Sequence, residues 1–500
     1  MIKQALISVY DKKYIVDFAR FLSSKGIKLI STSGTAKLLR DNGLEITDVS
    51  AITGFREILG GRVKTLHPSI LAGILARRED QLEELYSLGI EPIDIVVVNL
   101  YPFEGVVKRG AELEEALENI DIGGVTLIRA SAKNFKDVVI ITDPEDYGTV
   151  EKEIESTGDV SYEARKSLAI KAFAVTSRYD SIISNYLDGS RTPKYFLVGG
   201  ERSLELRYGE NPHQIASAYT TSGISVLSAK QIQGKELSYN NILDLDIAWS
   251  LSRSFEKPCV SVIKHNAPCG VAVAEDILSA FNNAWQADPV SAFGSILGIN
   301  RELDEPLAKA IDPYFVECII CPGISEGAVE VLRHKKNLRI LVHSNFYQLP
   351  EGLEIKGIQG GFLIQEWDTG DVKEFKVVTE TPLEETLKDD LIFAYKVVKF
   401  VKSNAIVVAK DGKTLGIGGG QPNRVDSVRL AISHAGKDSS GAVLASDGFF
   451  PFPDSVEEAG KAGIKAIIQP GGSIRDKESI EMANKYRVAM VFTGMRHFRH

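Results

Sequence analysis

The amino-acid sequence predicts an α/β protein of at least two domains, the first built on a parallel sheet with helices on both faces. Short apolar runs alternate with segments of helical period through the first 190 residues, the pattern of strands joined by crossover helices. The chain is also 500 residues long, whereas one domain usually takes roughly 100–200 residues. In such sheets, ligands bind in the loops at the carboxyl ends of the strands.

The elements of the first domain follow from the spacing of their apolar residues. Uninterrupted apolar runs indicate buried strands, and apolar residues at helical spacing indicate helices that cover the sheet. The predicted strands are Gln4–Val9, Lys28–Ser31, Ile93–Leu100 and Asp137–Thr142, and the predicted helices are Tyr14–Lys25, Thr35–Asn42 and Tyr162–Asp188.

A polar breaker cluster at Gly189–Pro193 predicts the domain boundary, which gives domains at 1–195 and 196–500. The second domain is again mixed α/β, and its size predicts two subdomains. No repeat is evident in its letters. Its strand candidates are Val260–Lys264, Ser295–Ile299, Ile319–Cys321, Ala405–Ala409, Ala442–Ser446 and Ala466–Gln469.

Composition excludes several classes of protein. The formal net charge of −9 disfavours a nucleic-acid binder, although it allows a local basic pocket for a phosphorylated ligand. Four cysteines argue against a disulfide scaffold, and the pair Cys318 and Cys321 lacks two further ligands for zinc, so no metal is expected. The first residues indicate a strand rather than a signal peptide, and no apolar run is long enough for a membrane span. We therefore expect a soluble cytoplasmic protein.

Two polar segments of the first domain suit an anionic ligand. Ser31–Thr35 is a hydroxyl-rich turn between a strand and a helix, where free N–H groups and the helix dipole favour phosphate, although ordinary N-capping by Ser33 or Thr35 is the alternative. The segment 60–68, GGRVKTLHP, places Arg62 and Lys64 beside paired glycines, as an anion site requires, but a solvated loop could look the same.

Further polar residues follow the later strands of this domain. Asn99 and Tyr101 lie where α/β sheets place ligand contacts. The segment 120–134 sets Asp121 before a glycine pair and ends near Lys133, so the two could share a proton transfer if the fold brings them together. A salt-bridged helix end is the alternative.

The second domain carries several segments without helical or strand period. Lys264 and His265 end an apolar strand before a Pro-Cys-Gly turn, a place suited to acid–base chemistry, although a lone histidine is more often structural. The glycine run 416–420 could let backbone approach a ligand, with Arg424 reaching a phosphate, and the aromatics of 446–452 could sandwich a flat ring. Simple hairpins and domain packing are the alternatives for these two. The remaining segments are 206–214, 288–294 and 494–500.

In order and spacing, these segments resemble one family, the bifunctional purine-biosynthesis enzymes. Its members join aminoimidazole carboxamide ribonucleotide (AICAR) formyltransferase to inosine monophosphate (IMP) cyclohydrolase. The motifs that carry the resemblance are GGRVKTLHP, NLYPF, DIGGVTLIRASAKN, LRYGENPHQ, KHNAPCG, SNAIV, GGGQPNR and SDGFFPF. The resemblance implies a methylglyoxal-synthase-like, Rossmann-type domain, followed by a transformylase domain of two cytidine-deaminase-like subdomains without zinc. It also implies a homodimer.

The resemblance implies a formyl-transfer site in the second domain. There the AICAR amine attacks 10-formyltetrahydrofolate as cosubstrate and gives formyl-AICAR (FAICAR). His265 matches the proton acceptor and Lys264 its cationic partner, while Asp454 matches a residue that faces the pterin. Glu317 stands where an aspartate is usual, which changes its reach. The matched nucleotide contacts are Arg207, Tyr208, Gly294, Glu317, Asn404, Arg424, Phe449 and Arg496.

The resemblance implies ring closure of FAICAR to IMP in the first domain. Lys133 matches the catalytic lysine, with Asp121, Tyr101 and Lys64 around it. Tyr10 stands where many members have serine. The implied substrate contacts, with the phosphate loop first, are Thr32, Ser33, Gly34, Thr35, Arg62, Thr65, Ser8, Lys12 and Asn99.

Two other functions remain open at this point. A methylglyoxal-synthase-like lyase would use the first domain but leaves about 300 residues of the second part unexplained. A non-catalytic nucleotide-binding regulator would not need a Lys–His pair at a strand end. A structural potassium ion, which some members of the resembled family hold, is allowed; neither nucleic acid nor a membrane is expected as a partner.

Overall fold

The computed structural model describes residues 2–221, 223–349, 352–370, 372 and 374–500. They fold as two compact units, Met1–Gly199 and Gly200–His500. Among the described residues, no helix is both long and apolar enough to cross a bilayer.

The first unit is a five-stranded parallel sheet of order β3-β2-β1-β4-β5. Its strands are β1 Gln4–Ser8, β2 Lys28–Ser31, β3 Thr47–Asp48, β4 Ile95–Val98 and β5 Val139–Ile141. Its helices are α1 Ile15–Ser24, α2 Ser33–Asp41, α3 Val49–Thr53, α4 Pro68–Leu75, α5 Leu82–Ser87, α6 Phe103–Lys108, α7 Leu113–Glu118, α8 Gly123–Lys133, α9 Tyr147–Thr157 and α10 Tyr162–Asp188. The parallel α/β fold predicted for this half is confirmed.

The core of the first unit explains why these segments form strands. Every residue of β4 and β5 is buried, as expected for strands of a parallel sheet that is covered on both faces. In α1 the buried residues are Ile15, Phe18, Ala19 and Leu22, which repeat at helical spacing and pack on the sheet.

The second unit is built on a twelve-stranded mixed sheet of order β16-β21-β20-β19-β17-β18-β10-β9-β11-β12-β13-β8. The strands of this unit are β6 Glu201–Leu206, β7 Ala216–Thr220, β8 Lys230–Gln233, β9 Cys259–Lys264, β10 Ala267–Val273, β11 Ser295–Ile299, β12 Val316–Cys321, β13 Arg339–Val342, β14 Leu353–Ile358, β15 Gly361–Glu366, β16 Lys376–Val377, β17 Ile406–Lys410, β18 Lys413–Gly418, β19 Val443–Ser446, β20 Ala466–Gln469 and β21 Ala489–Phe492. Two separate antiparallel ribbons, β6–β7 and β14–β15, lie outside the large sheet.

The helices of the second unit complete a repeated arrangement. They are α11 Tyr239–Ser252, α12 Ile277–Ala287, α13 Pro289–Ala292, α14 Glu305–Ile311, α15 Glu326–Leu332, α16 Lys388–Val398, α17 Arg424–Ala435, α18 Asp454–Lys461 and α19 Asp476–Tyr486. Each half has a helix, an antiparallel hairpin and three further strands that are mutually parallel and alternate with helices. The halves meet where β10 pairs antiparallel with β18 at Ala272 and Lys413. The two subdomains expected from size are therefore two copies of one topology in a shared sheet.

The Pro-Cys-Gly segment predicted to be a turn is instead part of β10. The hairpin turn lies two residues earlier, at His265 and Asn266, and the strand accommodates Pro268 at an irregularity in its register with β9. Gly270 is required because a Cβ there would lie 2.0 Å from the carbonyl oxygen of Ala284 in α12.

The glycine run at 416–420 was predicted either to let backbone approach a ligand or to serve a simple hairpin, and two of its glycines instead serve helix packing. A Cβ at Gly416 would lie 2.0 Å from the carbonyl oxygen of Ala431, and one at Gly418 would lie 2.1 Å from that of Ser427. Both oxygens belong to α17, so these glycines allow a helix to pack closely on β18.

Candidate active sites

A group of hydrogen-bond donors, called the cradle below, lies at the carboxyl ends of β1 and β2. The Ser8 and Thr32 hydroxyls are 3.2 Å apart, and Lys12 Nζ donates to Thr35 Oγ1 at 2.8 Å and also to the Val9 carbonyl. Thr32 is the N-cap of α2, and no side chain caps this helix, so the alternative of ordinary N-capping by Ser33 or Thr35 is wrong. The cradle therefore combines free helix N–H groups, hydroxyls and a cation, the donors that phosphate prefers.

Two lysines of this edge lie close enough to influence one another. Burial lowers the pKa of Lys12, the nearby charge of Lys64 lowers it further, and Asp11 opposes both. An anionic ligand would relieve the repulsion between the two ammonium groups.

Asp121 lies at the same edge, just before α8. Its Oδ1 accepts the Gly124 N–H at 2.7 Å, and its own N–H donates to the Tyr179 hydroxyl at 2.8 Å. Burial raises the pKa of Asp121, although the amides of Gly124 and Tyr101 and the charge of Lys64 act in the opposite direction. A half-buried carboxyl with a raised pKa beside a lysine suits proton transfer.

Glycines let α8 begin directly on this carboxylate. A Cβ at Gly124 would lie 2.4 Å from Asp121 Oδ2, and one at Gly123 would lie 3.0 Å from the hydroxyl of Thr65, which is buried. The glycine pair seen in the sequence therefore packs Asp121 and Thr65 against one helix start.

Three predicted contact residues of this unit already have protein partners. Arg62 pairs with Glu118, and Ser33 Oγ donates to Glu57 at 2.5 Å. The Asn99 side-chain oxygen accepts the N–H groups of Tyr10 and Asp11 at 2.6 and 2.9 Å, so Asn99 holds the loop after β1. Tyr10, which replaces the more usual serine, makes an edge contact with the Tyr101 ring at a centroid distance of 5.4 Å.

The structure does not bring Lys133 to Asp121, contrary to the prediction. The two residues flank opposite ends of α8, which at a rise of 1.5 Å per residue separates them by about 15 Å. The next residue, Asn134, donates to the carbonyls of Ile74 and Ala76. Arg78, which follows this segment, donates to the carbonyl of Ile93, just before the start of β4. Lys133 therefore lies toward the amino ends of the strands.

In the second unit, one cluster forms where β9 ends and β11 and β12 begin. Lys264 Nζ donates to the Phe293 carbonyl at 2.7 Å, which ties it to the segment of Gly294, and the Gly294 N–H donates to the Phe315 carbonyl at 2.8 Å. Glu317 accepts from Asn241 Nδ2 at 3.0 Å. Lys264, His265, Gly294 and Glu317 therefore share one edge of the large sheet.

Sequence reasoning missed two residues of this cluster, both on α11. Asn241 anchors Glu317, and the Asp244 carboxylate accepts the backbone N–H groups of His265 and Asn266. No local motif marks either residue; the only signal was a polar residue repeated three positions apart on a helix face that would otherwise be apolar.

A second cluster lies at the same edge of the sheet, at the start of β17 and the end of β19. The Arg424 side chain donates to Asn404 Oδ1 and Ser446 Oγ, each at 2.8 Å, and forms a buried ion pair with Asp447. The Arg424 guanidinium therefore holds Asn404 and the 446–448 loop together, and its predicted contact with a phosphate stays a prediction.

The carboxyl-terminal segment closes this second cluster. The Ser403 N–H donates to the Arg499 carbonyl at 2.8 Å, and the His497 N–H donates to the Asp447 carbonyl at 2.9 Å. His497 Nδ1 lies 2.7 Å from Asp368 Oδ2, and Arg496 stacks on the Phe498 ring. In the aromatic loop, Phe449 and Phe452 are exposed as predicted, whereas Phe450 is part of the core.

Three predicted residues are not tied to these clusters by any described hydrogen bond or ion pair. Arg207 and Tyr208 follow the end of β6 and stack on each other, and Asp454 begins α18, where it accepts from the Ser455 N–H. Their predicted contacts with substrate stay predictions.

The cysteine pair is not arranged as a metal site. Cys318 and Cys321 lie three positions apart on β12, and they pack into separate apolar clusters of the sheet. Burial raises the pKa of each thiol to about 12. Across the part of the chain that the structure describes, no three His, Cys, Asp or Glu side chains gather where they could hold a metal ion.

Comparisons with known proteins cover the whole chain. A family model described as the AICARFT/IMPCHase bienzyme matches residues 131–434, and an MGS-like domain model matches residues 14–126. The bifunctional purine biosynthesis protein PurH of Caldicellulosiruptor bescii is 53% identical, and that of Persephonella marina is 50% identical; each alignment covers 100% of both chains. A solved structure titled "Crystal structure of ForH" is 37% identical over 37% of this chain and 96% of its own, with a TM-score of 0.34.

Proposed function

This chain belongs to the AICARFT/IMPCHase bienzyme family, and from that premise we propose that it transfers a formyl group to AICAR and then closes FAICAR to IMP. The observation that carries the proposal is the presence of two unlike polar clusters on one chain. One is the cradle beside a half-buried carboxyl, and the other a Lys–His pair at a sheet edge. The lyase and regulator alternatives account for neither the second unit nor the matched relatives.

For formyl transfer, we propose that His265 accepts the proton released as the AICAR amine attacks the formyl carbon. That amine is conjugated with its ring and is a weak nucleophile, so a base that works near neutral pH is needed. Lys264, held by the Phe293 carbonyl, would bring a positive charge to the developing oxyanion. The formyl donor we propose is the cosubstrate 10-formyltetrahydrofolate, whose bond between the formyl carbon and N10 breaks as the tetrahedral intermediate collapses. N10 takes up a proton, so the leaving group is tetrahydrofolate.

For ring closure, we propose that the cradle of Ser8, Lys12, Thr32 and Thr35 binds the phosphate of FAICAR. The carboxamide nitrogen then attacks the neighbouring formyl group on the same ring, and water leaves. Because both groups are already adjacent, positioning supplies much of the acceleration. Asp121 and Lys64 would move the protons, and a catalytic role for Lys133 at this edge is not part of the proposal.

The family resemblance also supports a homodimer in the cytoplasm. A potassium ion at the corner of Ser403 and Asp447 would compete with Arg424, which already neutralises the Asp447 carboxylate. These two residues therefore do not fit a bound cation.

The test is a pair of assays on the purified full-length chain. With AICAR and 10-formyltetrahydrofolate, we expect the absorbance of tetrahydrofolate to rise and IMP to accumulate. With FAICAR alone, we expect IMP without any folate. No folate change in the first assay removes the formyl-transfer proposal, and no IMP in the second removes the ring-closure proposal.

A further inference from the structure

The turn that carries His265 has an unusual backbone. His265 and Asn266 form the two-residue connection between β9 and β10, and both lie in the left-handed region, with φ values of 51° and 60°. Such hairpin turns favour Asn-Gly or Asp-Gly; histidine and asparagine enter the left-handed region more readily than most residues, but a turn with no glycine at either position is not a preferred sequence.

A carboxylate from a neighbouring helix holds this turn. Asp244 Oδ2 accepts the His265 N–H at 3.2 Å, and Oδ1 accepts the Asn266 N–H at 2.6 Å. Each oxygen therefore fixes one of the two left-handed residues. Burial raises the pKa of Asp244, while the two turn amides and the nearby His265 oppose that shift.

The same helix also fixes the other acid of the cluster. Asn241 lies one turn before Asp244 on the same face of α11, and it anchors Glu317. Its own position is set by a capping box with Ser238 at the start of the helix. One helix end therefore sets the backbone of the His265 turn and the side chain of Glu317.

We propose that Asp244 is a positioning residue for formyl transfer, which holds the exposed His265 at the sheet edge by fixing both amides of its turn. This inference rests on the proposed function, in which His265 accepts a proton. The role of Asp244 is exerted through the backbone, so it affects how His265 is placed and not how substrate is bound.

The second half of the unit supplies a matched control. In α16, Asp390 accepts the N–H groups of Asp411 and Gly412 at 2.9 and 2.7 Å, and these two residues form the turn between β17 and β18. The contact is the same, but the turn carries no proposed catalytic residue. Asp390→Ala should therefore disturb the fold about as much as Asp244→Ala without touching the chemistry.

The experiment compares formyl transfer by Asp244→Ala, Asp244→Asn and Asp390→Ala. Because a misplacement of about 1 Å can cost about 100-fold in rate, we expect Asp244→Ala to lower kcat by about 100-fold. KM for both substrates should stay within about twofold, because no binding contact is lost. Asp244→Asn keeps one acceptor oxygen and should lose less, and it serves as the second variant if the alanine protein does not fold.

A rescue variant separates positioning from general stability. Glycine adopts a positive φ freely, so adding Asn266→Gly to Asp244→Ala should recover part of the lost kcat. A kcat within twofold of wild type in Asp244→Ala overturns the proposal, and so does an equal fall in Asp390→Ala.

Failure of the proposed function gives a different result. A wild-type protein without formyl transfer overturns that function. Whether Asp244 holds the turn of His265 and Asn266, a contact called the clasp below, is then tested by a crystal structure of Asp244→Ala. Residues 265 and 266 leaving the left-handed region would support the clasp, whereas an unchanged turn would overturn it.

Discussion

The two halves of the second unit share a topology, but opposite ends of that topology lie at the candidate site. The first half contributes its hairpin turn at His265 and the beginnings of β11 and β12. The second half contributes the beginning of β17 and the end of β19, while its own hairpin turn lies at the other edge of the sheet. The positions that carry candidate site residues in each half are therefore set by which end of that half lies at the site.

The hairpin turns at residues 265–266 and 411–412 show this difference most directly. Both turns are held by a helix carboxylate and both have two left-handed residues, with φ values of 52° and 68° at Asp411 and Gly412. Asp-Gly is an ordinary sequence for such a turn, whereas His-Asn is not. The same contact between a carboxylate and the turn amides therefore stabilises an ordinary turn in the second half and the turn that carries His265 in the first half.

The largest expected effect separates these two turns by activity. His265→Ala should lower formyl transfer by about 10²–10⁴-fold, the usual contribution of a general base, while Asp411→Ala should leave it near wild type. The measurement is tetrahydrofolate absorbance, with conversion of supplied FAICAR to IMP as an internal control. Similar losses in both variants would show that the turns are not functionally different.

The buried ion pair at the start of α17 has no counterpart at the start of α12, which is capped by Asp276. Arg424→Met would leave the Asp447 carboxylate buried without its partner and should destabilise the chain by about 3–5 kcal/mol. Asp276→Ala removes the N-cap acceptor of the Ser279 N–H and hydroxyl and should cost about 1 kcal/mol. Urea unfolding of both variants checks the difference, and equal shifts would contradict it.

In the first unit, the two ends of α8 invite the same kind of comparison. Asp121→Asn should lower conversion of FAICAR to IMP by about 100-fold, whereas Lys133→Ala should change it little. Because burial raises the pKa of Asp121, wild-type activity that needs the carboxylate should fall, on acidification, at a pH above the ordinary aspartate value of 3.8. A profile of the rate of FAICAR conversion against pH measures this fall in activity on the acidic side.

Complete loss of FAICAR conversion in Lys133→Ala, with the protein still folded, would contradict the expected difference between the two ends of α8.

The smallest expected effects test the repeat itself. Gly270 and Gly416 occupy corresponding strands, and a Cβ at either would lie 2.0 Å from a helix carbonyl oxygen. Alanine at each should therefore cost a similar amount, about 1–3 kcal/mol, as overpacking does. Thermal unfolding measures both, and a large cost at only one position would show that the halves do not pack alike.

The sequence predicted regular elements well where one pattern dominates. The helix Tyr162–Asp188 and the strands Ser295–Ile299 and Ala466–Gln469 have the predicted bounds. Each has a consistent apolar period and clear breakers at its ends, so local physics decides its limits.

The misses arose where tertiary contacts override local signals. Pro268 suggested a turn, but the carboxylate of Asp244 allows the chain to turn earlier at residues without glycine. The glycines of β18 suggested a ligand, but they accommodate a helix. Lys133 and Asp121 are close in sequence, but a straight helix lies between them. The repeat could not be seen in the sequence because the two halves share the order of their elements and not an evident sequence pattern.

The antiparallel contact of β10 with β18 has a further consequence for stoichiometry. Because the two halves of the second unit run in opposite directions across this contact, one rim of the sheet carries the hairpin turn of one half and the strand ends of the other. A ligand bound at that rim would therefore meet two dissimilar walls, and the duplication would supply one site instead of a pair of identical ones.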